Sequence, residues 1–129
     1  MKITILCVGK IKEKFYRDAI EEYAKRLTRY CKLEIIEVAD EKTPDGASAT
    51  EEMQIRQKEG ERVLARLEKC RQSSSYVMAL AIDGRELDSV ELSQKLEKLG
   101  TDGLSHVIFL IGGSLGMSKE LLLSSLFPE

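Results

Sequence analysis

The sequence predicts an α/β domain in which a mostly parallel sheet carries helices on both faces. Short apolar segments alternate along the chain with segments in which apolar residues recur every three or four positions. The first pattern is typical of buried strands and the second of amphipathic helices, and their alternation favours parallel strands joined by crossover helices. With 129 residues, the chain is long enough for one domain with its own core and too short for two.

Four apolar segments are predicted to be strands. They are rich in β-branched residues and are followed by glycine or by loop-forming residues. The third, YVMALAI, is almost wholly apolar, so we expect it to be central in the sheet. The predicted strands are residues 2–8, 33–38, 76–82 and 107–111.

Helical periodicity fills the segments between these strands. The first predicted helix, residues 11–30, has an apolar stripe that we expect to face the core. The second covers residues 50–69 after a Ser48–Glu51 capping box, and the third begins at the N-cap Asp88 and stops at Gly100. A fourth opens at Ser118. The stripe of the first helix consists of Tyr16, Ile20, Tyr23, Leu27 and Tyr30.

The numbers of cysteine and histidine residues limit the kinds of disulfide, metal site and catalytic site that the chain can form. The 3 cysteines, Cys7, Cys31 and Cys70, are widely spaced and fit neither a disulfide framework nor a zinc site, so we expect free thiols. With 1 histidine in the chain, histidine-based metal sites and Ser-His-Asp or Cys-His catalysis are disfavoured. His106 starts a strand, and we expect an ordinary, partly exposed side chain there.

Charge and hydropathy place the chain among globular proteins of the cytosol. No apolar segment has the length of a membrane span, and the N-terminus lacks a signal-peptide cleavage site. The net charge of -2 gives no overall argument for nucleic-acid binding. Three lysines cluster where the first strand meets the first helix, namely Lys10, Lys12 and Lys14. They form either a solvated face or a phosphate-binding patch.

The segment HVIFLIGGSLGM, residues 106–117, is the strongest candidate for a ligand site. Ligands of open α/β sheets bind beyond the carboxyl ends of the strands, and glycine there allows a close approach to the backbone. The glycine spacing matches neither the dinucleotide fingerprint nor the phosphate loop. From the residues alone, Gly112 and Gly113 are equally consistent with a ligand contact and with a structural turn.

Several segments together resemble the ribosomal RNA large subunit methyltransferase H family. The resemblance extends from residue 1 to about residue 122. It is carried by MKITILCVGKIKEKF, EYAKRL, IIEVADEKTPD, QKEGERVLARL, ALAIDG and FLIGGSLGMSKELL.

This resemblance implies a SPOUT-class fold, a parallel α/β domain with a C-terminal trefoil knot. It implies transfer of a methyl group from S-adenosylmethionine to N3 of a pseudouridine in the large-subunit (23S) rRNA, by a cytoplasmic homodimer acting on assembled ribosomes. The family's cofactor contacts fall on Leu80 and Gly112, with Gly113 and Ser114 beside them. It implies no metal and no membrane, and it assigns no catalytic residue in this chain.

The resemblance ends near the C-terminus. The family continues from GGSLG into another strand, a cofactor-binding loop, a long helix and a basic tail, whereas this chain reads LLLSSLFPE. We therefore expect a single domain, residues 1–129, without the knot segment, in which Leu110, Leu121, Leu122 and Leu126 are poorly buried. The alternative function is a truncated, non-catalytic remnant that does not bind cofactor productively. A generic nucleotide-binding module ranks last, since the phosphate loop is missing.

Overall fold

A computed structural model describes residues 1–10, 13–80, 86–113 and 115–118. Strands and helices alternate along this part of the chain, as the sequence predicts. The fourth predicted helix lies outside the described residues. The strands are β1 (Lys2–Val8), β2 (Lys32–Val38), β3 (Ser75–Leu80) and β4 (His106–Ile111), and the helices are α1 (Lys14–Leu27), α2 (Ala49–Cys70) and α3 (Ser89–Thr101).

The four strands form one sheet in the order β2-β1-β4-β3, and every pair is parallel. The central strands are therefore β1 and β4, and the expectation that β3 is central is wrong. Its apolar character comes from cover on its two faces. Val77 is buried in the core cluster with α2, while Tyr76, on the opposite face, lies 5.1 Å from the ammonium group of Lys95 in α3.

The main core lies between α2 and one face of the sheet. Leu6 of β1 is paired with Ile36 on one side and Leu110 on the other, and α2 packs Val63 and Leu67 against this row. Burying each such aliphatic side chain stabilises the fold by about 1.5–3 kcal/mol. Leu110 is fully buried, so the expected exposure of this residue is wrong, because α2 already covers its face of β4. Leu121, Leu122 and Leu126 lie outside the described residues.

Helices α1 and α3 cover the other face, which confirms the predicted layers. However, no residue of α1 is buried, so its apolar stripe is not part of the core, contrary to the prediction. Tyr23, for example, is 64% exposed. The reason is position: α1 packs over β2, one of the two edge strands, and no other described element makes more than a weak contact with it.

The predicted N-caps of α2 and α3 are confirmed, whereas α1 begins at Lys14, later than the predicted residue 11. Ser48 and Glu51 form the reciprocal capping box at α2, and Asp88 Oδ1 accepts a hydrogen bond of 2.8 Å from the backbone N–H of Glu91 at α3. Helix α2 continues through the buried Gly60 without interruption. Within the described residues, no helix combines the length and apolarity that a membrane crossing needs.

Candidate functional site

The carboxyl ends of all four strands meet at one edge of the sheet, because the strands are parallel. At this edge Leu80, the last residue of β3, is paired with Ile111, the last residue of β4. The two residues are 53% and 38% exposed, respectively. They form an exposed apolar pair where open α/β sheets bind their ligands.

The glycine segment after β4 folds back on itself as a tight turn. Gly113 and Gly116 form an isolated antiparallel bridge, in which the Gly116 N–H donates to the Gly113 carbonyl at 3.0 Å. Gly116 has φ +84°, which favours glycine. A Cβ at residue 112 would lie 2.9 Å from the Gly116 carbonyl, so Gly112 accommodates the chain's own turn.

Gly113 faces a buried carboxylate. A Cβ at residue 113 would lie 2.8 Å from Oε1 of Glu59, a residue of α2 that is only 4% exposed. The other oxygen, Oε2, accepts a hydrogen bond of 2.9 Å from the backbone N–H of Glu41. Oε1 has no hydrogen-bond partner within the described part of the chain. The corner therefore contains a buried acceptor with unused capacity.

The loop between β2 and α2 is held against the same edge by α2. Arg62 donates from Nη1 to the Ala39 carbonyl at 2.9 Å and from Nη2 to the Glu41 carboxylate at 2.5 Å. Together with the Glu59–Glu41 bond, these contacts attach the loop at three points. Gly9, with φ +89°, follows β1 and lies beside Asp40 of this loop. The ends of β1 and β2 therefore meet at the loop, and Glu59 of α2 contacts both the loop and the turn after β4.

The single histidine lies at the opposite edge of the sheet. His106 is the first residue of β4 and is 4% exposed, so the expected partial exposure is wrong. Its Nε2 lies 2.8 Å from Thr4 Oγ1 and its Nδ1 lies 2.9 Å from Ser75 Oγ, and both hydroxyl residues are buried. Burial, and then the positive charge of Lys2, lower the pKa of His106, while Glu34 opposes them. This histidine holds the amino edge together and is remote from the candidate site.

The cysteines are free thiols, as predicted. Burial raises the pKa of Cys7 and of Cys70, which keeps both thiols protonated and unreactive near neutral pH. In the described segments, no cluster of histidine, cysteine and acidic side chains is arranged to hold a metal ion.

The structure brings together three residues that the sequence singled out. Leu80, Gly112 and Gly113 all lie at the carboxyl edge, whereas Ser114 lies outside the described residues. Lys10 is exposed directly after Gly9, and Lys14 is exposed at the start of α1. Lys12 also lies outside the described residues.

Sequence reasoning missed Glu59. A signal was available, because Ile55, Glu59, Val63 and Leu67 recur every four residues along α2. Glu59 therefore occupies a position on the apolar stripe of the helix rather than on its solvated face. A charged residue in that register is a candidate for a specific interaction.

Comparison with known proteins decides the family. A family profile described as "Predicted SPOUT methyltransferase" matches residues 1–126. A protein of Bifidobacterium adolescentis named "Ribosomal RNA large subunit methyltransferase H" is 53% identical over 122 residues, which is 95% of this chain and 74% of that protein. The protein of the same name from Clostridium novyi is 52% identical over 122 residues, with the same coverage of both chains. The chain belongs to the SPOUT methyltransferase family.

A third relative extends the match almost to the end of this chain. The Bifidobacterium animalis subsp. lactis protein, also named "Ribosomal RNA large subunit methyltransferase H", is 49% identical over 128 residues, or 99% of this chain and 78% of that protein. The family resemblance of the sequence is thus confirmed, and the chain spans about three quarters of the length of these relatives. In this SPOUT methyltransferase, the glycine turn after β4 and the end of β3 lie side by side at the carboxyl edge of the sheet.

Proposed function

We propose that this SPOUT methyltransferase transfers a methyl group from S-adenosylmethionine to N3 of a pseudouridine in large-subunit rRNA. The observation that carries this proposal is the identity of 49–53%, over nearly the whole chain, to proteins named as ribosomal RNA large subunit methyltransferases. The geometry of the carboxyl edge supports it, because an exposed apolar pair, a glycine turn and a buried acceptor lie on elements that meet there.

These residues fit the chemistry of the cofactor. Leu80 and Ile111 offer apolar surface to a planar base, and the backbone polar groups of Gly112 and Gly113 follow Ile111 directly. Glu59 offers a carboxylate oxygen to N–H or O–H donors. When bound, S-adenosylmethionine supplies an electrophilic methyl group. Leu80, Gly112 and Gly113 are the cofactor-binding residues that we propose.

The chain's own contribution to catalysis is orientation. Methyl transfer needs the nucleophile in line with the methyl group, and holding both in place supplies most of the rate enhancement. The proton on N3 must also leave. His106 does not take it, since this buried side chain lies at the amino edge.

A basic surface beside the site suits the RNA. Lys10 follows the end of β1, the neighbour of β4 in the sheet, and Lys14 begins the following helix. Both are exposed and free to contact phosphates, which position RNA without reading its sequence. We propose that Lys10, Lys12 and Lys14 hold the rRNA of an assembled ribosome in the cytoplasm.

The exposed face of α1 supports the proposal that the protein works as a homodimer. Apolar side chains that remain 36–64% exposed repeat along this helix, namely Tyr16, Ile20, Tyr23 and Leu27. Apolar faces of this kind are typical of subunit interfaces. Sedimentation equilibrium of the wild-type chain and of Tyr23→Glu tests this point. The wild type is expected to be dimeric and the variant to shift toward monomer.

Mass spectrometry of rRNA tests the function. Ribosomes from a strain that lacks its own enzyme of this family are incubated with the chain and S-adenosylmethionine, and the large-subunit rRNA is digested to nucleosides. The expected product is a pseudouridine that is heavier by one methyl group. Unmodified pseudouridine, from a folded chain, would favour the alternative, a remnant that does not use the cofactor productively.

A further inference from the structure

We propose that Glu59 is a cofactor-binding residue whose Oε1 accepts a hydrogen bond from an N–H or O–H donor of S-adenosylmethionine. This inference rests on the proposed function. It adds to that function a residue on α2, a helix that carries none of the cofactor contacts implied by the family resemblance.

Only one oxygen of the buried Glu59 carboxylate is hydrogen-bonded within the described residues. Glu59 is 4% exposed, and a carboxylate in such a place needs hydrogen bonds to replace those that water provides. Oε2 has its bond from the Glu41 N–H, whereas Oε1 has none among the described residues. An acceptor held in place by one bond, with the second oxygen unused, is prepared for a donor that arrives with a ligand.

Arg62, a cation one turn along α2 from Glu59, is engaged elsewhere. Arg62 lies three residues further along α2, a spacing at which it is a natural partner for Glu59. Its guanidinium group instead binds the Ala39 carbonyl and the Glu41 carboxylate. None of the ion pairs found within the described residues includes Glu59. The local structure therefore fixes the loop with Arg62 and leaves the buried Glu59 Oε1 without a hydrogen-bond partner among the described residues.

The unpaired oxygen of Glu59 lies against the glycine turn. Oε1 lies 2.8 Å from the point at which a Cβ of residue 113 would stand, so it borders the glycine turn at the carboxyl edge. Any larger residue at 113 would displace it. The free acceptor thus lies beside the proposed cofactor contacts, Gly112 and Gly113.

The cofactor has suitable donors. A carboxylate only accepts hydrogen bonds, and S-adenosylmethionine carries an α-ammonium group, two ribose hydroxyls and the adenine amino group. Any of these satisfies Oε1, and the ammonium group would form the stronger, charge-assisted bond. The proposal requires one such bond and no covalent step.

Isothermal titration calorimetry of the full chain with S-adenosylmethionine tests the proposal. Glu59→Gln keeps the size of the side chain but has only one acceptor oxygen, which the Glu41 N–H retains. We expect about tenfold or greater loss of affinity in this variant, the effect of losing one hydrogen bond to a charged group. The matched control is Glu61→Gln, an exposed glutamate on the same helix, which should bind as the wild type does.

A second readout separates binding from folding. The thermal unfolding midpoint of ligand-free Glu59→Gln is expected to equal or exceed that of the wild type, because the substitution removes an incompletely paired buried charge. If Glu59→Gln does not fold, Glu59→Asp, which keeps the charge and withdraws it by one methylene, should show the same loss of affinity.

The donor is identified with 5′-methylthioadenosine, which lacks the amino-acid part of the cofactor. A loss of affinity for S-adenosylmethionine alone assigns the bond to the ammonium group, and a loss for both ligands assigns it to the adenosine part. Wild-type affinity for S-adenosylmethionine in both Glu59 variants overturns the inference, even though the function stands. A wild-type chain that binds no S-adenosylmethionine overturns the proposed function, and the inference with it.

Discussion

The Glu59 carboxylate lies directly against Gly113, so close that a side chain at residue 113 would collide with it. The distance from Oε1 to the Cβ position of such a side chain is 2.8 Å, closer than real Cβ contacts. This contact joins the middle of α2 to the turn after β4. It gives Gly113 a structural reason to be glycine that is independent of any ligand.

The first prediction concerns Gly113→Ala. The new methyl group overlaps the Glu59 carboxylate, which is buried and bonded to Glu41, so we expect a loss of about 1–3 kcal/mol in the free energy of unfolding. Urea unfolding measures it. Gly100→Ala is the control, since its Cβ meets only the end of Met1 at 3.7 Å and the substitution favours helix α3.

A double variant tests the cause. Combined with Glu59→Ala, Gly113→Ala should cost less than it does alone, which appears as a coupling energy between the two sites. Strict additivity of the two changes would contradict the contact as the origin of the loss.

The second prediction concerns Leu80→Ser. Leu80 is 53% exposed, so the substitution should change the stability of the ligand-free chain by less than about 1 kcal/mol. Affinity for S-adenosylmethionine should fall by about four- to tenfold, because covering the exposed half of this leucine with ligand contributes about 0.8–1.5 kcal/mol. Calorimetry measures the affinity. Val90→Ser, at an exposed position of α3, should leave it unchanged, and equal affinities in the two variants would remove Leu80 from the site.

The third prediction is a pH dependence that comes from His106. Its pKa in the folded chain lies below the ordinary value of 6.5, so the unfolded chain binds more protons just below pH 6.5. The stabilisation is therefore fully present above pH 6.5 and is lost as the pH falls from that value toward the folded pKa. Urea unfolding of the wild type at pH 7 and at pH 5.5 should show this decline.

His106→Gln provides the comparison. It removes the titrating group and disturbs the contacts with Thr4 and Ser75, so we expect a loss of about 1–3 kcal/mol at pH 7. Its stability should then decline less between pH 7 and pH 5.5 than that of the wild type. Parallel pH profiles of the two proteins would show that other groups cause the decline.

The fourth prediction concerns Arg62→Met. The substitution keeps the aliphatic part of the side chain and removes the bonds to Ala39 and Glu41. The loop after β2 should then open more often, and the Glu41 amide should exchange its hydrogen faster, as measured by hydrogen–deuterium exchange. Arg66→Met, at an exposed position one turn later, should leave this amide unaffected. Unchanged exchange in Arg62→Met would mean that Glu59 alone holds the loop.

The sequence predicts the positions of the strands along the chain well, but it predicts poorly which strands and helices pack against one another. Apolar segments such as 107–111 can be recognised as strands because a strand covered on both faces contains few polar residues. The same reasoning misplaced β3, since cover by helices produces the same apolar pattern as a central position. It also placed the stripe of α1 in the core, because periodicity shows that a face is apolar and does not show what covers it.

The candidate site was predictable in part. A glycine turn after a buried strand points to the carboxyl edge, and the family resemblance adds Leu80 from a strand that is adjacent only in space. The contact between Glu59 and Gly113 joins residues 54 positions apart. It depends on the strand order and on the path of α2, so the sequence alone could not predict it. His106 was misjudged for a related reason, because its hydroxyl partners come from β1 and β3.

An NMR titration with S-adenosylmethionine tests the central claim, that this chain binds the cofactor at the carboxyl edge of its sheet. We expect the backbone amide signals of Glu41, Leu80, Gly112 and Gly113 to shift and those of Lys2, Ser75 and His106 at the amino edge to stay in place. Shifts confined to the amino edge, or no shifts at millimolar cofactor, would contradict it.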